Sequence, residues 1–125
     1  MALGGEGILY VADTWNQRIQ SFRLAESGNY APLLVWDTYA WFGNSLDNKP
    51  YLTVGANGHV FATDPEGGRV LEFTPQGEIV RFWGDFGTGP DAFGLAGAIA
   101  ADEAGGLWVS DSGNNRIMHF TIPNP

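Results

Sequence analysis

Three pairs of oppositely charged residues recur along the chain, each with an aspartate five residues before an arginine. The pairs are Asp13 with Arg18, Asp64 with Arg69, and Asp111 with Arg116. The guanidinium can donate a charge-assisted hydrogen bond to the carboxylate, and an aspartate at a strand end can accept hydrogen bonds from the amides of the turn that follows. Because the pair recurs in every copy of a repeated segment, we interpret it as structural rather than catalytic.

The other residues that could do chemistry are scattered along the chain. His59 and His119 are expected in different repeats and at different edges, so we do not expect them to share a metal ion. Ser110 and Ser112 flank Asp111, but no histidine is placed to activate either hydroxyl. The chain has no cysteine, which excludes thiol chemistry and zinc–thiolate sites. The sequence therefore predicts no catalytic residues, no metal site and no cofactor.

The composition favours a small β-rich domain. The 125 residues include 18 glycines and 7 prolines, and only 16% are charged. An average domain has about 25% charged residues, so a helical bundle is disfavoured. The net charge of −8 repels phosphate backbones and anionic lipid. No apolar run approaches the roughly 18 residues of a membrane span. We therefore expect neither a nucleic-acid partner nor direct insertion into a membrane.

An internal repeat organises the chain as a single segment, 1–125. Residues 8–22, 59–73 and 106–120 align without gaps, and each stretch ends on a phenylalanine: Phe22, Phe73 and Phe120. The repeats are about 1–49, 50–96 and 97–125. The first contains four extra residues, which we place in a surface hairpin loop within 23–32, where insertions are tolerated.

Each repeat has the pattern of four short strands separated by glycine-containing turns. In the complete middle copy the strands are predicted at about 51–54, 59–63, 69–74 and 78–83. The second strand is apolar at consecutive positions, as in a sheet that is covered on both faces. Four-stranded units of this kind, repeating every 47 to 51 residues, are typical of β-propeller blades.

Three stretches resemble a known family. YVADTWNQRIQSF (10–22) and DSGNNRIMHF (111–120) resemble the NHL repeat of β-propellers, and FWGDFGTGPDAF (82–93) resembles the segment between NHL repeats. The resemblance implies an all-β propeller with about three four-stranded blades. NHL propellers include protein-binding, RNA-binding, sensor and lyase members. Metal-dependent propeller lyases and lactonases need ligands near the central channel, and the expected channel strands, 52–54 and 98–101, carry no carboxylate or imidazole.

Three blades do not close a ring, since propellers typically contain four to eight. Two chains could pair head-to-tail as a homodimer with a six-bladed ring, or the remaining blades could lie in a longer chain. The resemblance also allows the C-terminal propeller of a larger bacterial membrane protein, outside the cytoplasm.

Binding residues are sought where the repeat is broken. In propellers the turns between second and third strands share one face with the linkers between blades, and this is the usual binding face. The aromatic candidates there are Trp15, Tyr39, Trp41 and Phe42, with Arg23 and Lys49 as weaker candidates. As alternatives, Trp15 packs on a neighbouring loop, and Trp41 or Phe42 fills the core between blades.

The sequence thus predicts a non-enzymatic module that binds a protein, peptide or glycan through its loops. The alternative is part of a metal-dependent lyase- or lactonase-like propeller whose ligands lie in blades outside this sequence.

Overall fold

The computed structural model describes residues 1–42 and 48–123, which form three antiparallel sheets. Blade 1 contains β1 (Ala2–Leu3), β2 (Ile8–Asp13), β3 (Arg18–Leu24) and β4 (Tyr30–Asp37). Blade 2 contains β5 (Leu52–Val54), β6 (Val60–Asp64), β7 (Arg69–Phe73) and β8 (Ile79–Trp83). Blade 3 contains β9 (Ala96–Ala101), β10 (Gly106–Asp111) and β11 (Arg116–Thr121). The strands of each blade pair in sequence order, which confirms the predicted all-β blade architecture.

Each blade has the same tight turn between its second and third strands. The turns are short 3-10 segments at Thr14–Asn16, Pro65–Gly67 and Ser112–Asn114. Each is followed by a residue in the left-handed conformation, which is Gly68 in blade 2 but Gln17 and Asn115 in the other two. Glycine adopts this conformation freely and asparagine with modest strain, so the turn sequences suit the geometry they adopt.

The extra residues of the first repeat form a hairpin within 23–32, where the sequence places a surface hairpin loop, and most of them belong to its two strands. Strand β3 continues to Leu24 and β4 begins at Tyr30. The turn itself is closed by hydrogen bonds from the Ala25 amide to the Asn29 carbonyl and from the Gly28 amide to the Ala25 carbonyl. When residues are added to both strands of a hairpin, they can pair with each other across the hairpin. The added residues therefore extend β3 and β4.

The hydrophobic core consists of two layers, one between each pair of neighbouring blades. Blades 1 and 2 enclose a set that includes Tyr10, Ile19 and Leu71, and blades 2 and 3 enclose a set that includes Phe61 and Val109. Successive side chains of a strand point to opposite faces of its sheet. The middle blade therefore contributes to both layers, which explains why its second strand is apolar at consecutive positions.

The same positions lose their cover in blade 3. Phe61 and Val70 of blade 2 are buried, whereas their repeat equivalents Trp108 and Ile117 are exposed, Ile117 to 69%. Strand β11 has no fourth strand beside it within the described residues. Blade 3 therefore presents to solvent a surface that blades 1 and 2 bury.

None of the helical segments within 1–42 and 48–123 is long and apolar enough to cross a membrane.

Candidate functional site

One edge of the stacked blades carries all three second-to-third-strand turns together with the linkers that lead from one blade to the next. We call it the loop face and define it by the turns 14–17, 65–68 and 112–115 and by the described parts of the linkers, 38–42 and 84–95. The linkers are joined to the turns by hydrogen bonds. The amide and hydroxyl of Thr38 both donate to the Gln17 carbonyl, at 3.0 and 2.9 Å.

The recurring Asp–Arg pairs lie at this face. The Nε of Arg18, Arg69 and Arg116 lies 2.7, 2.9 and 2.9 Å from the carboxylate five residues earlier. The predicted ion pairs are thus formed. The predicted bonds from the amides of the following turn are not formed at any of the three aspartates, because each carboxylate faces its arginine instead.

The arginines also hold the linker that arrives from the preceding blade. Arg116 donates to three backbone carbonyls of the second linker, those of Thr88, Gly89 and Ala92, at 2.8 to 2.9 Å. Arg69 donates to one carbonyl of the first linker, that of Tyr39, at 3.3 Å. The Asp64–Arg69 and Asp111–Arg116 pairs therefore hold the linker from the preceding blade as well as stabilising their own turns.

Asp111 receives the most complete set of bonds among the three aspartates. Its Oδ1 accepts the amides of Gly94 and Leu95, and its Oδ2 accepts Asn114 and Arg116, all within 2.8 to 2.9 Å. Burial alone would raise the pKa of this carboxyl. The hydrogen bonds to its charged form outweigh burial, and the pKa of Asp111 lies below its usual value.

Tyr39 is held outward on the first linker. Its side chain is 75% exposed and its backbone has the left-handed φ of 53°, a conformation that costs energy for an aromatic residue. The Tyr39 amide donates to Asp37 Oδ1 at 2.7 Å, and its carbonyl accepts Arg69. The backbone is thus fixed from both sides while the ring meets solvent, as the candidate binding role requires.

Trp41 is a core residue, and its place among the surface binding candidates was wrong. The side chain is 2% exposed and lies in the layer between blades 1 and 2. Its indole Nε1 donates to the Thr63 carbonyl at 2.9 Å. The alternative that Trp41 fills the core is thus confirmed, and its backbone has a left-handed φ of 66°. Phe42, its neighbour, is exposed.

Trp15 lies in the first turn of the loop face and is 67% exposed. It lies two residues before Gln17, whose carbonyl accepts the Thr38 amide. Trp15 and Tyr39 are therefore presented by two segments that are bonded to each other.

The two basic candidates occupy different places. Arg23 pairs with Ile8 and Ala31 at the far end of β3, away from the turn that begins this strand. It therefore does not belong to the loop face. Lys49 is exposed beside an open cleft of about 350 Å³ that is also lined by residues of the second and third turns, Pro65 and Ser112.

Phe86 is an exposed aromatic of the loop face that the sequence reasoning missed. It is 61% exposed and lies against the second turn, where a Cβ on Gly68 would approach its ring to 3.0 Å. Its amide donates to Asp85 Oδ1 at 2.8 Å. Aligning the two linkers from Trp36 and Trp83 places Phe86 at the position of Tyr39, and this alignment was the available signal.

A buried carboxylate in blade 2 was also missed. Glu72 is fully buried, with His59 Nδ1 2.7 Å from its Oε1 and Arg81 Nε 2.6 Å from its Oε2. Arg81 also donates to the Pro123 carbonyl, beyond blade 3. The cluster connects two blades at the edge opposite the loop face. Burying a charged group is costly unless it is paired in this way.

The two histidines lie beside equivalent turns of successive blades, not at different edges as expected, and have different partners. His119 lies 3.5 Å from Asp102, and its ring stacks on Trp108 with centroids 4.2 Å apart. Within the two described ranges, no group of three potential metal ligands comes together.

Comparison with known proteins supports the resemblance of the repeats. No family model matches the chain. Human NHL repeat-containing protein 3 is 35% identical over 78 residues, which are 60% of this chain and 22% of that protein. The match therefore spans less than a quarter of the curated relative's length.

Solved structures support the fold. Virginiamycin B lyase from Staphylococcus aureus matches 95% of this chain and 39% of its own, with a TM-score of 0.63 and 20% identity. A luciferin-regenerating enzyme matches 90% of this chain and 36% of its own, with a TM-score of 0.56 and 18% identity. At these identities the likeness concerns the fold alone. The chain is a β-propeller segment whose repeats are similar to those of an NHL repeat-containing protein.

Proposed function

We propose that the chain is a non-enzymatic binding module whose ligand contacts the loop face. The observation that supports this is the outward ring of Tyr39, which is exposed although its backbone is strained and bonded on both sides. Trp15, Phe42 and Phe86 add exposed aromatic surface at the same edge. Rigid aromatic side chains with low conformational entropy are the residues that most often dominate binding energy.

Chemical-shift mapping tests this proposal. The ¹⁵N-labelled chain would be titrated with acidic, basic and neutral peptides and with a neutral oligosaccharide. We expect at least one class to shift the amides of Tyr39 and Phe86 and the indole signal of Trp15. Phe42→Ala and Trp15→Ala should weaken the response, whereas Tyr30→Ala, an exposed tyrosine at the opposite end of β4, should not. Shifts confined to other surfaces, or none with any class, would contradict the proposal.

A lyase- or lactonase-like role is the second candidate, because the structural neighbours include two proteins named as enzymes. On this alternative the reacting groups belong to blades outside this sequence. Calorimetric titration with Zn²⁺ and Ca²⁺ separates the two. Tight stoichiometric binding by the chain favours the enzyme, and ligand binding at the loop face without a metal favours the module.

We also propose that the exposed blade faces are interfaces, either with a second copy of the chain or with further blades of a longer one. Blade 3 exposes Ile117, and the opposite face of blade 1 leaves Leu9, Val11 and Phe22 only partly covered. Their repeat equivalents face each other across the two internal layers. A head-to-tail pair of chains would bring the same two patterns together.

Mixing two variants tests the paired arrangement. Light scattering should give twice the 13.5 kDa chain mass for the unmodified chain and a monomer for Ile117→Asp or Val11→Asp alone. An equal mixture of the two variants should recover a dimer, because one of the two interfaces then contains no altered residue. If the unmodified chain is monomeric at high concentration, pairing with a second copy is refuted. Further blades of a longer chain then remain as the partner of the exposed blade faces.

A further inference from the structure

The loop face carries an aromatic ring and a nearby carboxylate in each of its two linkers, with the aspartate two residues before the ring in the first linker and one before it in the second. Tyr39 donates its amide to Asp37, and Phe86 donates its amide to Asp85. Both rings and both aspartates are exposed. In each aspartate one oxygen accepts that amide, and the second makes no hydrogen bond to the described residues. Each linker therefore presents a ring next to an oxygen that is available to a ligand.

This arrangement matches the chemistry of a cationic side chain. A guanidinium or ammonium is attracted to the face of an aromatic ring and can simultaneously donate to a carboxylate. A neutral sugar can also stack on the ring and donate a hydroxyl to the carboxylate, but the negative charge of the face does not attract it over distance. An acidic ligand would be repelled.

The charges around these two aspartates are also mainly negative. Glu66 and Asp91 are further exposed carboxylates of the loop face, whereas Arg69 and Arg116 already donate to aspartates and linker carbonyls. Lys49 is an exposed base at the edge of this face, and the partly exposed Arg18, the cross-strand partner of Asp37, donates to Asp13. The chain as a whole has a net charge of −8. The long-range field therefore favours approach of a basic partner.

The repeat sets the spacing of the two sites. Tyr39 and Phe86 are equivalent positions in successive linkers, so they are separated by one blade. Packed sheets lie about 10 Å apart. An extended or polyproline II peptide advances about 3.1 to 3.4 Å per residue, so three residues cover about the same distance. Side chains at i and i+3 of such a peptide would reach successive sites.

We propose, as an extension of the binding function above, that the loop face binds an extended basic segment of a partner protein with Arg or Lys at every third position. One cationic side chain lies against Tyr39 and Asp37, and the next lies against Phe86 and Asp85. The strained backbone of Tyr39 fixes the first ring in advance, which reduces the entropy lost on binding.

Fluorescence anisotropy with two labelled peptides tests the proposal. The first is a nonapeptide made of three Arg-Ala-Ala units, and the second has the same composition with its three arginines contiguous. We expect the spaced peptide to bind at least about fivefold more tightly, and its affinity to fall as sodium chloride is raised from 50 to 300 mM. Equal affinities for the two peptides would show attraction to net charge alone and overturn the proposal.

Matched variants locate the two sites. Tyr39→Asn combined with Phe86→Ala should weaken the spaced peptide at least about tenfold, given the usual strength of cation–π contacts, and asparagine tolerates the left-handed backbone of position 39. Asp37→Asn combined with Asp85→Asn keeps an oxygen for each amide but removes the charge, and should weaken binding and flatten its salt dependence. Tyr30→Ala and Glu78→Gln, at the opposite end of the hairpins, should leave the affinity unchanged.

The outcomes separate this inference from the function on which it rests. If neither basic peptide binds but an oligosaccharide or another peptide class shifts Tyr39 and Phe86, the basic-segment proposal fails and the binding module stands. If no class shifts these residues, both fail. If the spaced peptide binds but the ring and carboxylate variants bind it as well as the unmodified chain, its site lies elsewhere and the basic-segment proposal is refuted.

Discussion

Replacing Arg116 with methionine is expected to destabilise the chain far more than the same change at Arg18, although both arginines occupy the same repeat position. Arg116 binds a fully buried aspartate and three linker carbonyls. Arg18 binds a partly exposed aspartate, and no hydrogen bond joins it to a linker carbonyl within the described residues. Methionine preserves the apolar stem, so the comparison isolates the guanidinium.

The magnitudes follow from burial. Removing one partner of a buried ion pair typically costs about 3 to 5 kcal/mol, because the other charge remains buried without compensation. Asp111 would keep three of its four hydrogen bonds, which places Arg116→Met near the lower end, about 3 kcal/mol, and the lost carbonyl bonds add to it. An exposed pair contributes at most about 1 kcal/mol, which bounds Arg18→Met. Arg69→Met, with a buried aspartate but one linker carbonyl, should lie between them.

Urea unfolding followed by tryptophan fluorescence measures the three variants. With a slope of about 2 kcal/mol per molar urea, the Arg116 variant should shift the midpoint by about 1.5 M or more and the Arg18 variant by less than about 0.5 M. Hydrogen exchange adds a local measurement, since the amides of Gly94 and Leu95 donate to Asp111 and should lose protection in the Arg116 variant. Equal destabilisation by the Arg18 and Arg116 changes would refute the stabilising role of the bonds between Arg116 and the second linker, because those bonds would then contribute nothing.

Three other changes have expected outcomes. Trp41→Phe should cost about 1 to 3 kcal/mol in the free energy of unfolding measured by urea, because it leaves the Thr63 carbonyl buried without its donor; no loss would contradict the core role of the indole. The lowered pKa of Asp111 means that its contribution is complete above the unfolded pKa of about 3.9 and is lost as the pH falls towards the lower folded value. Thermal unfolding from pH 6 to pH 2 should therefore show a steeper acid loss for the unmodified chain than for Asp111→Asn. Glu72→Ala should destabilise by several kcal/mol, because His59 and Arg81 then lose their shared buried partner, and an unfolding midpoint close to that of the unmodified chain would contradict this.

The repeat made most of the fold predictable, because a position that recurs has one structural role in every copy. The Asp–Arg spacing predicted the ion pairs, and the turn glycines predicted where strands end. The extra residues of blade 1 were predicted as a hairpin loop, but a count of four does not say how many of them pair with each other. Pairing depended on the turn that begins after Leu24, not on the length of the insertion.

The candidate site was less predictable, because neighbouring aromatic residues in a linker can face opposite ways. Trp41 is buried and its neighbour Phe42 is exposed, and no feature of residue type distinguishes them. Phe86 was overlooked among small residues, although alignment of the linkers places it with Tyr39. Equivalent positions of the two linkers, Tyr39 and Phe86, are both exposed, whereas the neighbours Trp41 and Phe42 within one linker differ.

The Asp64–Arg69 ion pair contributes both to the stability of blade 2 and to the proposed binding surface. The Tyr39 carbonyl accepts a hydrogen bond from Arg69, which in turn donates to Asp64. The ion pair that stabilises one blade therefore also determines how the linker of the preceding blade presents its aromatic ring. This dependence explains how loops poor in regular structure can present aromatic side chains with a defined spacing. The blades set the distance between the two linkers, and Arg69 and Arg116 hydrogen-bond each linker to the blade that follows it.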